Sequence, residues 1–418
     1  MSGETAVGAR RRPLGDLRAL PPLARLLIST QLAFNLGFYA VLPYLAGHLG
    51  GGLGMTGWLV GLVLGLRTFS QQGMFAVGGA LTDRFGPRPV VLAGCGLRIA
   101  GFLWLGTARA TWAVVAAVLL VGFAAALFSP AVESELARQA VRYEKAGHAP
   151  RTRVLGLFSA AGQLGAFAGP LLGSLLLPLG FRAACLAGAG VFVLVLAGHW
   201  RLMPGGHPGR AVGDAERGRA GGSLGGLLRN RRFMALALAY SSYLLAYNEL
   251  YLALPQEVAR ATGSQAPLAW LFALSSLLVV AAQLPVSRWA AARLSPRGSV
   301  AGGLLLVAAG FAVVAVALPA GWRGVPGLGP AAGLVVLLTV GQMLVVPSVR
   351  AWVPELCDDR RLGLYTGALS SVSGLVVLVG SALTGRLLDL WGNGPLPWLV
   401  LAALPMAGAV LVPRRTGS

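Results

Sequence analysis

Residues 79–89 read Gly-Ala-Leu-Thr-Asp-Arg-Phe-Gly-Pro-Arg-Pro and join two long apolar stretches, 56–81 and 89–108. Each stretch has about the 20 residues that a helix needs to cross the hydrocarbon core of a bilayer. The glycine and prolines of the connection favour a turn, and its charged side chains favour water. This part of the sequence predicts two membrane-spanning helices joined by a short charged turn at the membrane surface.

The same alternation of apolar stretches and short charged connections continues along the 418 residues. Hydrophobic residues make up 56% of the chain and charged residues 11%, whereas a soluble domain carries roughly 25% charged residues. This composition excludes an ordinary soluble enzyme and a disordered chain. Apolar runs bounded by Gly, Pro and Arg predict an all-α polytopic membrane protein with twelve transmembrane helices, at about 23–48, 56–81, 89–108, 111–133, 153–178, 182–202, 232–258, 267–292, 299–319, 329–352, 361–389 and 394–412.

The basic residues are concentrated on one side of the predicted helices. The net charge is +20, but 27 of the 34 Lys and Arg residues lie on the side of both termini and 4 lie on the other side. Because positively charged connections stay in the cytoplasm, we expect both termini inside the cell and no binding to nucleic acid. The predicted organisation is a cytoplasmic N-terminus 1–22, a first bundle 23–202, a Gly- and Arg-rich linker 203–231, a second bundle 232–412 and a cytoplasmic tail 413–418.

The two halves of the chain resemble each other in short segments that recur in the same order. Residues 33–35 (Ala-Phe-Asn) correspond to 246–248 (Ala-Tyr-Asn), and residues 155–157 (Leu-Gly-Leu) correspond to 362–364. Ordered matches of this kind indicate a duplicated unit of six helices. The sequence therefore predicts two pseudo-symmetric six-helix bundles.

The charged turn resembles the signature Gly-x-Leu-x-Asp-Arg-x-Gly-x-Arg of the major facilitator superfamily, and it lies between the second and third helices, where that family has it. The resemblance implies the superfamily fold and transport by alternating access. It also implies a gating role for Asp83, Arg84, Gly86 and Arg88, since charge-assisted bonds to neighbouring helix ends can favour one of two arrangements. The alternative is a solvated cytoplasmic turn that only sets the topology.

The fifth predicted helix carries a second motif, formed by Gly165, Gly169, Pro170 and Gly173. It resembles the Gly-x-x-x-Gly-Pro-x-x-Gly motif of drug/proton antiporters within the superfamily, and the resemblance implies a transporter of that type. Glycines four residues apart also allow close packing of helices, which is the alternative. The arginine that many antiporters of this branch carry in the fourth helix is absent from residues 112–133.

Ionisable side chains inside the predicted helices are few, and each is costly at mid-membrane. Glu249 is the only acid well inside a span, and burial there disfavours its charged form, which suits reversible protonation. We expect Glu249 to be the proton or cation site, with Arg67 as its electrostatic partner and a substitute for the missing arginine. The alternative is a Glu249 side chain that reaches a hydrated outer vestibule. Arg98 in the third helix is expected to turn inward.

Polar and aromatic residues at helical spacing can line a cavity for drug-sized ligands, and aromatic faces can hold organic cations. The predicted substrate-binding residues are Gln31, Asn35, Tyr39, Gln71, Tyr247, Asn248, Tyr251 and Gln283. Tyrosine stripes are also typical of packing between helices, which is the alternative for Tyr247 and Tyr251.

These patterns predict a secondary active transporter, not an enzyme, that exports amphipathic and in part cationic small molecules in exchange for protons. The alternative is a dedicated facilitator or proton symporter for one metabolite. We expect a monomer in the bacterial plasma membrane whose partners are the substrate, protons and lipid. The three cysteines and four histidines show no metal-ligand spacing, so neither a metal nor another cofactor is expected.

Overall fold

A computed structural model of the chain describes residues 20–148, 150–205, 229–356, 362–392 and 394–413. In these ranges the regular structure is helical throughout. The helices are α1 (Pro22–Gly47), α2 (Gly57–Gly73), α3 (Phe75–Phe85), α4 (Pro87–Leu105), α5 (Thr111–Lys145), α6 (Arg151–Leu176), α7 (Phe181–Leu202), α8 (Arg231–Thr262), α9 (Leu268–Arg293), α10 (Pro296–Ala317), α11 (Gly324–Trp352), α12 (Leu362–Trp391) and α13 (Leu396–Leu411). Most of the predicted N-terminus, linker and tail lies outside the described residues.

Nine of the described helices are long and apolar enough to cross a membrane, so the chain is a multi-pass membrane protein. The other helices lie at the remaining predicted spans. α8 is long but carries more polar residues, and α13 has only 16 residues. The second predicted span is divided into α2 and α3 at Met74, whose φ of −98° and ψ of 4° leave the α-helical region of the backbone map.

One predicted helix end is wrong. The sequence predicts that the fourth helix ends near residue 133, but α5 continues to Lys145. Burial of Leu136 and Ala140 and a 2.9 Å ion pair between Arg138 and Glu135 accompany the additional turns. In the sequence these charged residues indicate a loop between two helices. In the structure they form the solvated face at the end of an amphipathic helix.

The helices pack as two groups that correspond to the two halves of the sequence. In the first group, α1 packs against α6 and α7, and α4 packs against α5 and α7. In the second group, α10 packs against α11 and α13, and α8 packs against α11, α12 and α13. The groups meet mainly where α2 contacts α12 and where α6 contacts α9. Because α2 corresponds to α9 and α6 corresponds to α12 in the duplicated unit, the two interfaces are related by the pseudo-symmetry.

The glycine motif of α6 lies at the interface with α1. A Cβ atom on Gly169 would lie 2.7 Å from the Cβ of Tyr39, and the Tyr44 hydroxyl donates a 2.6 Å hydrogen bond to the carbonyl oxygen of Pro170. The other two glycines of the motif face carbonyl oxygens of α1 as closely. The motif therefore brings α1 and α6 into backbone contact, and its link to antiport stays a prediction.

Candidate functional site

The interface between α2 and α12 is closed at the end of the molecule where α2 begins, which we call the Gly57 end. Gly57, Gly61 and Gly65 lie four residues apart and face α12 on one side of α2. A Cβ on Gly57 would lie 2.6 Å from the carbonyl oxygen of Gly385, and a Cβ on Gly65 would lie 2.8 Å from the Cα of Leu378. Since such distances exclude any side chain, the two helices are in backbone contact here.

An acidic side chain joins the two bundles at the Gly57 end. The carboxylate of Asp389 on α12 accepts hydrogen bonds from the backbone nitrogens of Gly57, at 2.6 Å, and Trp58, at 2.9 Å. It therefore caps the N-terminus of α2, where a negative charge is favourable because the helix leaves its first N–H groups unpaired. The sequence analysis missed Asp389, since a single acid near a predicted helix end gives no indication of a partner 331 residues away.

Asn248 links the bundles deeper in the same interface. Its side-chain oxygen accepts a 2.9 Å hydrogen bond from the hydroxyl of Thr68 on α2, and its nitrogen donates a 2.8 Å bond to the hydroxyl of Ser381 on α12. All three residues are buried. Asn248, predicted to bind substrate, is thus occupied by protein contacts in this conformation. The sequence analysis missed both Thr68 and Ser381.

Four of the other predicted cavity residues meet around Arg67. The guanidinium Nη2 of Arg67 donates a 2.6 Å hydrogen bond to the side-chain oxygen of Gln71. Its charge also lies within electrostatic range of Tyr39, Tyr247 and Tyr251, and the last two are joined by a 3.3 Å bond between their hydroxyls. Gln71, Tyr39 and Tyr247 are only half-buried. These residues therefore form a polar cluster between α1, α2 and α8 that solvent reaches.

Three predicted residues lie outside this cluster or at its edge. Asn35 donates a 2.8 Å hydrogen bond to the carbonyl oxygen of Gly162 on α6, and Gln31 lies beside the same glycine. Gln283 donates a 3.0 Å bond to Ser287 within α9. The structure thus places Gln31 and Asn35 against α6, about two turns and one turn from Tyr39 respectively, and it does not bring Gln283 to the cluster.

Glu249 is buried in the second bundle, away from Arg67. Its side chain is 1% exposed, and neither carboxyl oxygen has a hydrogen-bond partner. Thr384 of α12 lies beside it, whereas the electrostatic neighbours of Arg67 are the tyrosines of the cluster. The structure therefore does not form the predicted partnership between Arg67 and Glu249. In the part of the chain that is described, no cluster of His, Cys, Asp and Glu has the composition of a metal site.

The charged signature turn lies at the opposite end of the molecule, which we call the Asp83 end. Gly86 has φ +83°, a conformation that favours glycine because other residues carry a Cβ, and it ends α3. Arg88 donates a 2.9 Å hydrogen bond to the carbonyl oxygen of Trp200 in its own bundle, so Gly86 and Arg88 shape the turn in this conformation. Asp83 and Arg84 are exposed.

Among the described residues, the two bundles make little contact at the Asp83 end. α12 packs extensively against α2 but only slightly against α3. Glu133 of α5 and Arg350 of α11 are both exposed and interact electrostatically across the gap. The polar cluster is therefore covered at the Gly57 end and faces the Asp83 end.

Arg98 turns into the first bundle, as its position in the sequence predicts. It is 1% exposed, and the central carbon of its guanidinium lies 4.8, 5.4, 5.7 and 5.3 Å from the ring centres of Phe34, Phe38, Phe102 and Phe192. Arg67 lies 4.7 Å from the ring centre of Phe38. The two arginines thus contact the same ring.

Known proteins resemble the chain along most of its length. A sequence profile of the Major Facilitator Superfamily matches residues 26–255 and also residues 236–416. An uncharacterised MFS-type transporter of Mycobacterium tuberculosis is 36% identical over 398 residues, which cover 93% of this chain and 91% of the relative. The multidrug resistance protein MdtH of Escherichia coli O9:H4 is 30% identical over 385 residues, which cover 91% of this chain and 90% of MdtH.

Solved structures share the fold at lower sequence identity. A POT family transporter in complex with 5-aminolevulinic acid superposes with a TM-score of 0.75 at 13% identity, over 95% of this chain and 98% of the other. The nucleoside transporter NupG superposes with a TM-score of 0.75 at 14% identity, over 93% and 98%. Together with the two matches of the family profile, the two helical bundles and the signature turn, these likenesses show that the chain belongs to the Major Facilitator Superfamily of transporters.

Proposed function

We propose that this transporter exports amphipathic small molecules in exchange for protons, by alternating access across the bacterial inner membrane. The observation that carries the proposal is the asymmetry of the interface between the bundles. Among the described residues this interface is closed at the Gly57 end and slight at the Asp83 end, with a partly exposed polar cluster between them. The name of the relative MdtH supports multidrug export as the type of transport. The charge distribution supports a cytoplasmic location of the termini and of the Asp83 end, and in that orientation the present conformation would be open inward.

Glu249 is the proposed proton carrier. An ionised carboxylate buried without a partner is strongly unfavourable, so the residue is held as the neutral acid while the Gly57 end is closed. Because the adjacent Asn248 of α8 is bonded to α2 across the closed interface, separation of the bundles at the Gly57 end would let water reach α8 beside Glu249, so that the carboxyl group could exchange a proton with the outside. Because the carboxyl group is still buried in the present conformation, release of the proton to the inside would require water to reach it from the Asp83 end.

The signature turn is the proposed gate at the other end. When the Asp83 end closes, Asp83 and Arg84 would meet the second bundle as Asp389 meets α2 in the present conformation, with Gly86 and Arg88 holding the turn in place. The polar cluster around Arg67 is the proposed substrate site, and we propose that the protein works as a monomer, since each chain contains both bundles.

Transport assays in proteoliposomes test the proposal. With purified protein, an imposed pH gradient and a panel of unrelated amphipathic substrates, we expect wild-type transport of several of them to rise when the proton gradient opposes substrate movement. Stimulation by a gradient in the same direction, or transport of one metabolite alone, would instead support a symporter or facilitator.

The variant Glu249→Gln isolates the role of the proton carrier, since it keeps the shape and removes the titration. We expect gradient-driven transport to fall at least about tenfold, the effect typical of losing a proton-transfer group, while exchange of substrate for substrate without a gradient continues. The matched control is Glu144→Gln, which removes an exposed acid at the Asp83 end. Unchanged gradient-driven transport in Glu249→Gln would overturn the assignment.

A further inference from the structure

The first bundle contains two buried arginines for which the described structure offers no acidic partner. All three guanidinium nitrogens of Arg98 lack a hydrogen-bond partner, and the charge is surrounded by aromatic rings. Arg67 is 8% exposed, and its side-chain hydrogen bonds to described residues go to Gln71 and Thr68. Two buried positive charges with no acid beside them among the described residues create a positive potential that favours anions.

Arg67 has hydrogen-bonding capacity to spare in the polar cluster. A guanidinium carries five N–H donors, and the hydrogen bonds to Gln71 and Thr68 use two of them. Its Nε is buried without a partner. The Nε and one Nη atom of an arginine form the planar fork that binds a carboxylate or a related oxyanion through two parallel hydrogen bonds. An oxyanion in the cluster would satisfy these unused donors.

The surroundings of Arg67 favour an anion that carries an apolar body. The ring of Phe38 lies against the guanidinium of Arg67, with its centre 4.7 Å from the central carbon, and provides an apolar surface beside the charge. On the other side, the hydroxyls of Tyr39 and Tyr247 are neutral groups that can donate hydrogen bonds to an oxyanion. A cationic ligand would lie beside two unneutralised arginines, so the structure does not favour the cationic substrates that the tyrosine stripe indicates in the sequence.

We propose that the substrate of this transporter is an amphipathic anion whose carboxylate, sulfonate or phosphonate group binds Arg67, with Gln71, Tyr39 and Tyr247 around it. Arg98 does not touch the ligand and strengthens the positive potential of the site from behind Phe38. The inference rests on the proposed function and names the substrate class of the same site.

Binding measured in detergent tests this inference separately from transport. Purified full-length protein in an uncharged detergent is titrated calorimetrically with phenylbutyrate, phenylbutyramide and phenylbutylamine, which share a skeleton and carry negative, zero and positive charge. We expect phenylbutyrate to bind at least about tenfold more tightly than the other two ligands, because these lack the carboxylate that would accept two charge-assisted hydrogen bonds from Arg67. Saturable binding of phenylbutyrate that is no tighter than that of the amide or amine, or no binding of phenylbutyrate, overturns the proposal.

Variants of Arg67 test whether this side chain causes the tighter binding of the anion. Arg67→Gln is expected to lose the tighter binding of phenylbutyrate, about tenfold or more, and Arg67→Lys, which keeps the charge and loses the fork, is expected to lose several-fold. Arg288→Gln removes an exposed arginine of α9 as the matched control and should bind as wild type. Thermal unfolding identifies variants that do not fold, and if Arg67→Gln is one of them, unchanged affinity in Arg67→Lys overturns the proposal. Because no gradient is present, failure of proton-driven export in proteoliposomes would leave this result standing.

Discussion

The Gly57 end and the Asp83 end of the molecule close the space between the bundles in different ways. At the Gly57 end, glycines of α2 bring its backbone against α12, and Asp389 caps the first turn of α2 from the other bundle. At the Asp83 end, α3 and α12 make only slight contact, and the charged side chains of Glu133 and Arg350 are exposed. One end is held by close backbone packing and hydrogen bonds, and the other by weaker interactions between solvated charges.

This difference shows that a sequence signature and the closed part of a structure need not coincide. The residues that resemble the family signature lie at the Asp83 end, whereas the contacts that hold this conformation lie at the Gly57 end, where the sequence shows only small residues and one acid. An alternating-access transporter needs contacts at both ends that exist in one state only. Substitutions at the Gly57 end can test these contacts, and one distance between two labels reports whether that end opens.

The measurement uses two spin labels on either side of the interface at the Gly57 end. Gly51→Cys and Leu390→Cys place the labels on exposed positions in a protein whose three native cysteines are replaced by alanine. A longer distance between the labels reports opening of the Gly57 end. Each variant is compared with a control substitution away from this interface.

The largest effect is expected from Gly61→Val. Its Cβ would overlap the carbonyl oxygen of Ser381, so α2 and α12 could not approach as they do now. Overpacking of this kind costs about 1–3 kcal/mol, which shifts a two-state population roughly 5- to 150-fold. We expect the labelled distance to lengthen. Gly96→Val, where open space surrounds the glycine, should leave it unchanged, and equal distances in both variants would show that the glycines do not hold this end closed.

A smaller effect is expected from Asn248→Ala. The substitution removes the hydrogen bond that joins α8 to α2 across the bundles, worth roughly 1 kcal/mol, and also the bond to α12 within the second bundle. Loss of the first bond should lengthen the distance in a fraction of the molecules. Asn35→Ala is the control from the repeated segment of the first half, since Asn35 bonds only within its own bundle. An opening as large in Asn35→Ala as in Asn248→Ala would contradict the assignment of Asn248 to the interface between bundles.

The smallest effect is expected from Asp389→Asn. The amide can still accept a hydrogen bond but loses the charge at the N-terminus of α2, which is worth about 0.3–1 kcal/mol and shifts the population at most roughly fivefold. Ser295→Ala removes a cap within one bundle, where Ser295 accepts from the backbone nitrogen of Gly298. It should lower thermal stability without lengthening the distance. No lengthening in Asp389→Asn would indicate that its carboxylate is only a local cap.

Much of the fold could be predicted because each part of it depends on local composition. Apolar runs locate the helices, the glycine of the signature turn meets the backbone requirement at Gly86, and the small residues of α6 predict its close contact with α1. The end of α5 could not be predicted, because charged residues are compatible with both a loop and the solvated face of a helix. Only the burial of Leu136 and Ala140 decides between them.

Half of the predicted substrate-binding residues meet in the polar cluster, but their partners could not be predicted. Tyr39, Gln71, Tyr247 and Tyr251 were identified from polar residues at helical spacing, and the structure brings them to Arg67. The sequence paired Arg67 with Glu249 because they are rare charges at similar depth. Depth, however, does not determine the direction in which a side chain leaves its helix, and the two residues face different neighbours.

The sequence by itself determined that this chain lies in a membrane, that it consists of two related sets of helices and that it belongs to one superfamily, since hydrophobicity, repetition and a local motif are properties of neighbouring residues. Tertiary structure alone decided which end of the molecule is closed, that Asn248 joins the bundles, and that two arginines are buried without an acid among the described residues. These features depend on contacts between residues more than a hundred positions apart, and the energies of such contacts are set by distance and orientation in space.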